Sequence, residues 1–307
     1  MAFVKDLYRD EFRDGFLVQS DRKKVWERWL EILQEIDRIC RKYEICYWAS
    51  EGTLLGAARH KGFIPWVRNM NLCMTRPDFN YFCMVAEEEL DKDKFEVARE
   101  VFLSLQVYHK QTTLLRAEDP AEIKYPQGLL IEIFPLDFAP DGTPQVNFVL
   151  GSVGELLGAV CNFPALAETV KNGGKIINDW ADIEKIHALG TLDEQFKFLD
   201  ITLEGLIDCS SSVNFIKKTF IDRVSDHYQK DWFRETIYLP FEDIEVPVPV
   251  DYEKILTARY GDWHELIRDK ENDIGLFVSA DIPYKKFIEQ INFEMLFEKK
   301  ADDKEAD

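Results

Sequence analysis

The stretch that decides the fold is EGTLLGAARHKGFIPWVRNMNLCM, residues 51–74. Gly52 and Thr53 open a small-residue helical segment, TLLGAARH, and Gly62 and Pro65 mark the loop behind it. Asn69–Met74 then reads as a buried strand. Immediately upstream, Ile45–Ala49 (ICYWA) reads as a short strand, so the unit is strand, glycine turn, helix, loop, strand.

The flanks extend this α/β reading. Val25, Trp26, Trp29, Leu33, Ile36, Ile39 and Cys40 recur at three- and four-residue steps, predicting an amphipathic helix over Arg22–Tyr43. Pro77 suits the first turn of a helix over Asp78–Leu90. A third strand is expected in GLLIEIFPLD, where an apolar run carries one acid, Glu132, before Pro135 ends it. The segment Phe95–Lys124 has patchy β character. Past the turn cluster APDGTP (139–144) helices are predicted at Phe148–Lys171, Glu194–Asp208 and Val213–Phe233. The run 238–263 reads as a proline-interrupted strand or hairpin, an Asp251 cap, a short helix and Gly261 as its C-cap. The expected fold class is α/β (α+β): a core sheet flanked by helices, followed by a mostly helical C-terminal lobe. The expected organisation is an N-terminal helical segment (1–44), the core (45–140), a helical lobe (141–236), a hairpin and helices returning to the core (237–293), and a disordered tail (294–307).

Composition narrows the function classes. A net charge of −19 opposes non-specific attraction to nucleic acid or to an anionic membrane surface. No run approaches the ~18 apolar residues of a transmembrane helix, and MAFVKDLYRDEF is too charged for a signal peptide, so a cytoplasmic location is expected. Cysteines 40, 46, 73, 83, 161 and 209 form no CxxC pair and have no histidines at zinc spacing, which reads as free thiols.

Phosphoryl and nucleotidyl transfer need a seat for phosphate and, usually, acids on one face of a strand to hold divalent metal. The Gly52-Thr53 turn offers backbone N–H groups at a helix start, and Arg59, His60 and Lys61 supply cations behind that helix. Arg59 and Lys61 are either phosphate contacts or a solvated loop, and His60 either a base or a packing residue. The alternating face of the next strand is Val67, Asn69 and Asn71, so the pair that should be acidic is amide. Alternation turns Arg68 away from that face. Glu132 supplies the further acid, with Asp137 beside it in sequence. Glu51, Glu132 and Asp137 would make an alternative metal set if they converge; otherwise Glu132 is expected to pair with Arg59 or a lysine. Tyr47, Trp48 and Trp66 would form a cation–π box for a quaternary ammonium group or simply pack in the core.

GTLLGAARHKGFIPW, followed some sixty residues on by QGLLIEIFPLD, resembles the LicD family of phosphotransferases, relatives of the fukutin-type polyol-phosphate transferases. LPFEDIEVPVP, YEKILTARYGDW and FVSADIPYKKF resemble the family's C-terminal elements, so the resemblance spans roughly residues 30 to 290. It implies a nucleotidyltransferase-like core that moves phosphocholine or a polyol phosphate from a cytidine-diphosphate-activated donor to a cell-surface glycan, with Mg2+ or Mn2+ on an aspartate run. That run falls here on Val67, Arg68, Asn69 and Asn71, none of them acidic, while Glu132 and Asp137 match its later acids. Glu51 stands where the family has a small or polar residue. The expectation is therefore a LicD-like phosphotransferase homologue with a degenerate metal site and weak or lost activity. The alternative is a pseudoenzyme that binds ligand or serves as partner subunit to an active homologue.

Overall fold

The computed structural model describes residues 9–99, 104–116, 126–139, 159–160, 163–175, 180–206, 214–218, 225–267 and 276–290. β1 (Glu11–Arg13) and β2 (Phe16–Val18) form a hairpin through Asp14 and Gly15, both at positive φ (50° and 71°), the geometry of a type I′ turn. α1 (Ser20–Tyr43) follows and buries Trp26, Trp29, Leu30, Ile32, Leu33 and Ile36. β3 (Trp48–Ser50) runs directly into α2 (Glu51–Leu55), which continues as one π-helical turn over Gly56–His60 and ends at Lys61 in the left-handed region. A Cβ on Gly56 would stand 2.5 Å from the Gly62 carbonyl oxygen, so only glycine lets the loop fold back this closely.

Next come β4 (Met70–Thr75), α3 (Arg76–Glu89), β5 (Phe95–Ala98), β6 (Leu105–His109), β7 (Thr113–Arg116) and β8 (Leu130–Ala139). Thr75 caps α3, its side chain accepting from the Asp78 N–H, with proline in the first turn as the sequence predicts. Three helices follow, α4 (Phe163–Lys171), α5 (Trp180–His187) and α6 (Leu192–Leu206), and then β9 (Asn214–Lys218) and β10 (Ser225–Gln229). β11 (Thr236–Phe241) and β12 (Ile244–Pro249) make a hairpin, α7 (Tyr252–Tyr260) ends at Gly261 with φ 67°, and β13 (Leu276–Ser279) and α8 (Tyr284–Gln290) complete the order.

The fold is mixed α/β, and its central sheet has seven strands. β4 lies parallel to β8 and antiparallel to β3. The other edge of β8 is shared: β6 pairs with Leu130–Ile133 and β9 with Asp137–Ala139. α1 and α3 touch each other and β8, and Arg76 at the start of α3 reaches Asp137, so α3 covers the sheet face that carries Asp137. Among the described residues, no helix is long and apolar enough to cross a membrane.

Two elements depart from the sequence reading. Pro135 does not end its strand, which runs on to Ala139. It falls between the stretches of β8 paired to β6 and to β9, where its missing N–H disrupts neither ladder. The helix expected over Val213–Phe233 is replaced, where the chain is described, by β9, β10 and a 3-10 turn at Lys230–Phe233. The open edge at Asp137–Ala139 offers β9 a ladder, and this tertiary pairing overrides the local pattern. The expected tail at 294–307 lies outside the described residues.

Asp137 is 4% exposed, and its carboxylate accepts from Arg76 Nε (2.7 Å) and Nη2 (3.0 Å). Removing one partner of a buried, doubly hydrogen-bonded pair leaves an uncompensated charge. D137A is expected to lower unfolding free energy by about 3–5 kcal/mol in urea titration. A change under about 1 kcal/mol would show that the pair does not hold α3 to the sheet.

Candidate functional site

Register assembles a polar row across the sheet. Ser50 on β3 lies opposite Asn71 on β4, Asn71 opposite Glu132 on β8, and Glu132 opposite Gln106 on β6. Directly opposed residues share a face, so four polar side chains stand in one line. Ser50, Asn71 and Gln106 are 8%, 3% and 5% exposed, burial that polar groups tolerate only when they are engaged.

Their partners show what the row is built to do. The Asn71 backbone N–H donates to Thr53 Oγ1 (2.8 Å), tying the glycine turn to the strand. Asn71 Nδ2 donates to Glu51 Oε2 at 2.7 Å. An ionised carboxylate only accepts, so this bond fixes the amide orientation. Asn71 Oδ1 is thereby left buried and without a hydrogen-bond partner. The other oxygen of Glu51, Oε1, lies 3.4 Å from Arg259 Nη2 on α7. Glu51 itself adopts φ 51°, an uncommon backbone conformation for a side-chain-bearing residue and one found often at functional turns. Farther along the row, Ser104 Oγ donates to Glu132 Oε1 (2.6 Å) and accepts from Gln106 Nε2 (2.7 Å). Glu132 therefore engages a hydroxyl and an amide, not the arginine or lysine expected for it.

The remaining candidates are dispersed. Asn69 is exposed and precedes β4. Val67 packs over the glycine turn, its Cγ1 lying 3.5 Å from where a Cβ on Gly52 would be. Asp137, five residues beyond Glu132 on one strand, faces the opposite side of the sheet, where Arg76 holds it. The alternative set of Glu51, Glu132 and Asp137 is thus not brought together, and among the described residues no three acid, histidine or cysteine side chains are placed to hold a metal ion. The row offers one carboxylate occupied by an amide and a guanidinium, one amide oxygen, and one carboxylate occupied by Ser104 and Gln106. Magnesium demands near-octahedral hard oxygen ligands with one or two carboxylates, and this donor set does not fit it.

Arg59, His60 and Lys61 line an open cleft of about 540 Å3 together with Arg13, Asp14 and Glu242. Arg59 Nη1 donates to the Trp263 and Glu265 carbonyl oxygens (2.9 and 2.6 Å), so it also braces the segment after α7. Burial holds the Arg59 pKa below its ordinary value. His60 meets Trp66 edge to face at 5.9 Å and lies 3.2 Å from Asp14. Burial and then the Arg59 charge push its pKa down. Lys61 is exposed. Tyr47 and Trp48 are buried, Tyr47 donating to Asp37 (2.9 Å) and Trp48 to Thr236 Oγ1 (2.9 Å), so with Trp66 beside His60 the three aromatics form no box.

Sequence reasoning missed Arg259, Ser104, Gln106 and the clamp of Arg13 on Glu242 (2.5 and 3.0 Å). Glu242 Oε1 also accepts from the Phe63 N–H (3.0 Å), fixing the loop behind the glycine turn. Asp14-Gly15 is the local hairpin signal that could have found the first strand pair, which the sequence reading placed in a helical segment; nothing local marks Arg259 or Glu242.

A mixed α/β domain with a glycine turn feeding a helix beside a strand, and polar residues in register on the next two strands, defines the class: a sheet-based site at a strand-to-helix turn. Residues 44–123 match the family model described as LicD/FKTN/FKRP, nucleotidyltransferase domain, so the chain carries a LicD-family domain there. The chain is also 23% identical over 243 residues to the lipopolysaccharide cholinephosphotransferase LicD of Haemophilus influenzae, an alignment covering 77% of this chain and 89% of that protein. The glycine turn, the helix, the loop and three members of the row, Ser50, Asn71 and Gln106, fall inside the matched segment, while Glu132 lies beyond it. The family resemblance read from the sequence is borne out.

Two measurements check this geometry. N71D sets a second carboxylate where the amide now donates to Glu51, and like charges at that distance need a proton or a cation between them. The variant is expected to melt a few degrees lower than the parent at pH 8 with chelator present, and to regain stability on adding Mn2+ while the parent does not respond. Equal melting of N71D and parent would remove the Glu51 bond from the account. The second concerns His60, whose folded pKa lies below its unfolded value near about 6.5, so the neutral ring contributes stability above that pH and loses it as pH falls. From about pH 7 to 5 the parent should lose more thermal stability than H60Q; parallel curves would rule this out.

Proposed function

We propose that this chain is a LicD-type phosphotransferase homologue that binds a cytidine-diphosphate-activated donor without a divalent metal, its transfer to a glycan acceptor being weak or lost. The observation carrying this is the Asn71 amide donating to Glu51, whose other oxygen faces Arg259. Where phosphate chemistry wants anionic oxygen for a cation, this site holds a neutral amide, a carboxylate already satisfied, and a guanidinium. A guanidinium is a good phosphate ligand and needs no metal between itself and the anion. Lys61, which lines the cleft with Arg59 and His60, and the backbone at Gly52 and Thr53 are the further phosphate contacts of this reading. Glu132 remains as an acid in the row, and Asp137 takes a structural role. The family model and the cholinephosphotransferase relative support the donor and acceptor classes. A cytoplasmic location belongs to the same proposal.

The second reading, a subunit that binds ligand for an active homologue and turns nothing over, rests on the same substitution at Asn71. Loss of a metal pair costs more than the ~10²–10³ in rate typical of losing one transition-state stabiliser.

Calorimetric titration with cytidine-diphosphate-choline, once with chelator and once with Mn2+, tests the proposal, with nucleotide release followed in the same samples. Dissociation constants equal within about twofold in the two conditions, together with slow or absent release, are expected. Binding seen only with Mn2+, or no binding in either condition, overturns it; measurable slow release selects the first reading over the second.

A further inference from the structure

Glu51 and Arg259 meet at the seam between the core and α7, and with Ser50, Tyr228 and Tyr260 they line the narrow crevice there. Their side chains are 17% and 26% exposed, so solvent reaches the pair but screens it only in part. The carboxylate is held from two elements. Asn71 Nδ2 on β4 donates to Oε2 at 2.7 Å, and Arg259 Nη2 on α7 lies 3.4 Å from Oε1.

The backbone answers to the same constraint. Glu51 holds φ 51° between β3 and α2, a conformation that costs a side-chain-bearing residue free energy and persists where its surroundings over-determine it. The turn thus carries a carboxylate to a guanidinium that would otherwise be open to a phosphate. Arginine meets carboxylates and phosphates through the same planar fork of donors, so the two anions compete for it. They also repel each other, and a few ångströms apart in a partly buried site that repulsion is large.

We infer that Glu51 is a built-in competitor for the phosphate of the donor. Its carboxylate occupies Arg259 in the free protein, an arriving phosphate must displace it, and Glu51 thereby sets the affinity for anions at this site. This rests on Arg259 being a phosphate ligand, as proposed above, and adds the residue that regulates it.

The test is calorimetric titration of the full chain with cytidine diphosphate and with uncharged cytidine, chelator present, on the parent, E51Q, R259Q and E51Q/R259Q. Glutamine keeps an acceptor for the Asn71 amide and removes the charge. E51Q should bind cytidine diphosphate about tenfold or more tighter than the parent, with any binding of cytidine unchanged. The gain should vanish without the guanidinium, E51Q/R259Q binding no tighter than R259Q within about twofold. Should R259Q melt well below the parent, R259M carries the same comparison. Equal or weaker binding of cytidine diphosphate by E51Q than by the parent overturns the inference, as does a gain of the same size with and without Arg259. The donor reading fails separately: a parent that binds only with Mn2+, or not at all, sinks that reading, while metal-free binding gained by E51Q still upholds the competition.

Discussion

The parallel ladder between β4 and β8 is the constraint from which the site follows. A strand shows alternate residues to alternate faces, so the register that sets Asn71 opposite Glu132 also sets Leu72 opposite Ile133 in the core. A slip of one residue would expose Leu72 and Ile133, both fully buried, and turn Asn71 and Glu132 into the helical layer. Apolar burial therefore fixes the polar row, and Ser50 and Gln106 join it because β3 and β6 pair to the same two strands. The same alternation sends Asp137 to the opposite face, where Arg76 receives it.

Within the row, charge is balanced internally. Glu51 lies between an amide donor and a guanidinium, and Asn71 directs its N–H2 to that carboxylate and leaves its carbonyl oxygen unmatched. Such an arrangement stabilises itself. An aspartate at position 71 would face a second carboxylate and depend on an external cation, whereas the asparagine satisfies the Glu51 carboxylate from the protein alone, its own carbonyl oxygen staying unmatched. The helix and loop behind the glycine turn are held independently, by the Phe63 N–H on Glu242 and by Arg59 on the carbonyls beyond α7.

Much of the frame is legible from the sequence because its signals are local. Seven apolar residues at helical spacing announce α1, Gly52-Thr53 announces the turn, and Pro77 announces the start of α3. Pro135 misleads, since its cost depends on which edge of the strand is paired at that residue. The segment after Ser211 misleads too, because its partner is an open edge some eighty residues earlier. Of the site, Asn71 and Glu132 can be read from alternation. Arg259 and the Ser104–Gln106 pair cannot, as each is defined by contact with a residue distant in the chain.

The clamp of Arg13 on Glu242 joins β1, the first described strand, to a hairpin made 229 residues later. During synthesis the N-terminal hairpin, the glycine turn and the loop behind it all emerge long before their common anchor exists. A ribosome-bound chain that stops short of β11 has Gly62 and Phe63 without the carboxylate that positions them. The loop behind the glycine turn consequently waits on a late-made residue, and a product truncated before Glu242 would carry the whole matched family segment and still lack a finished loop.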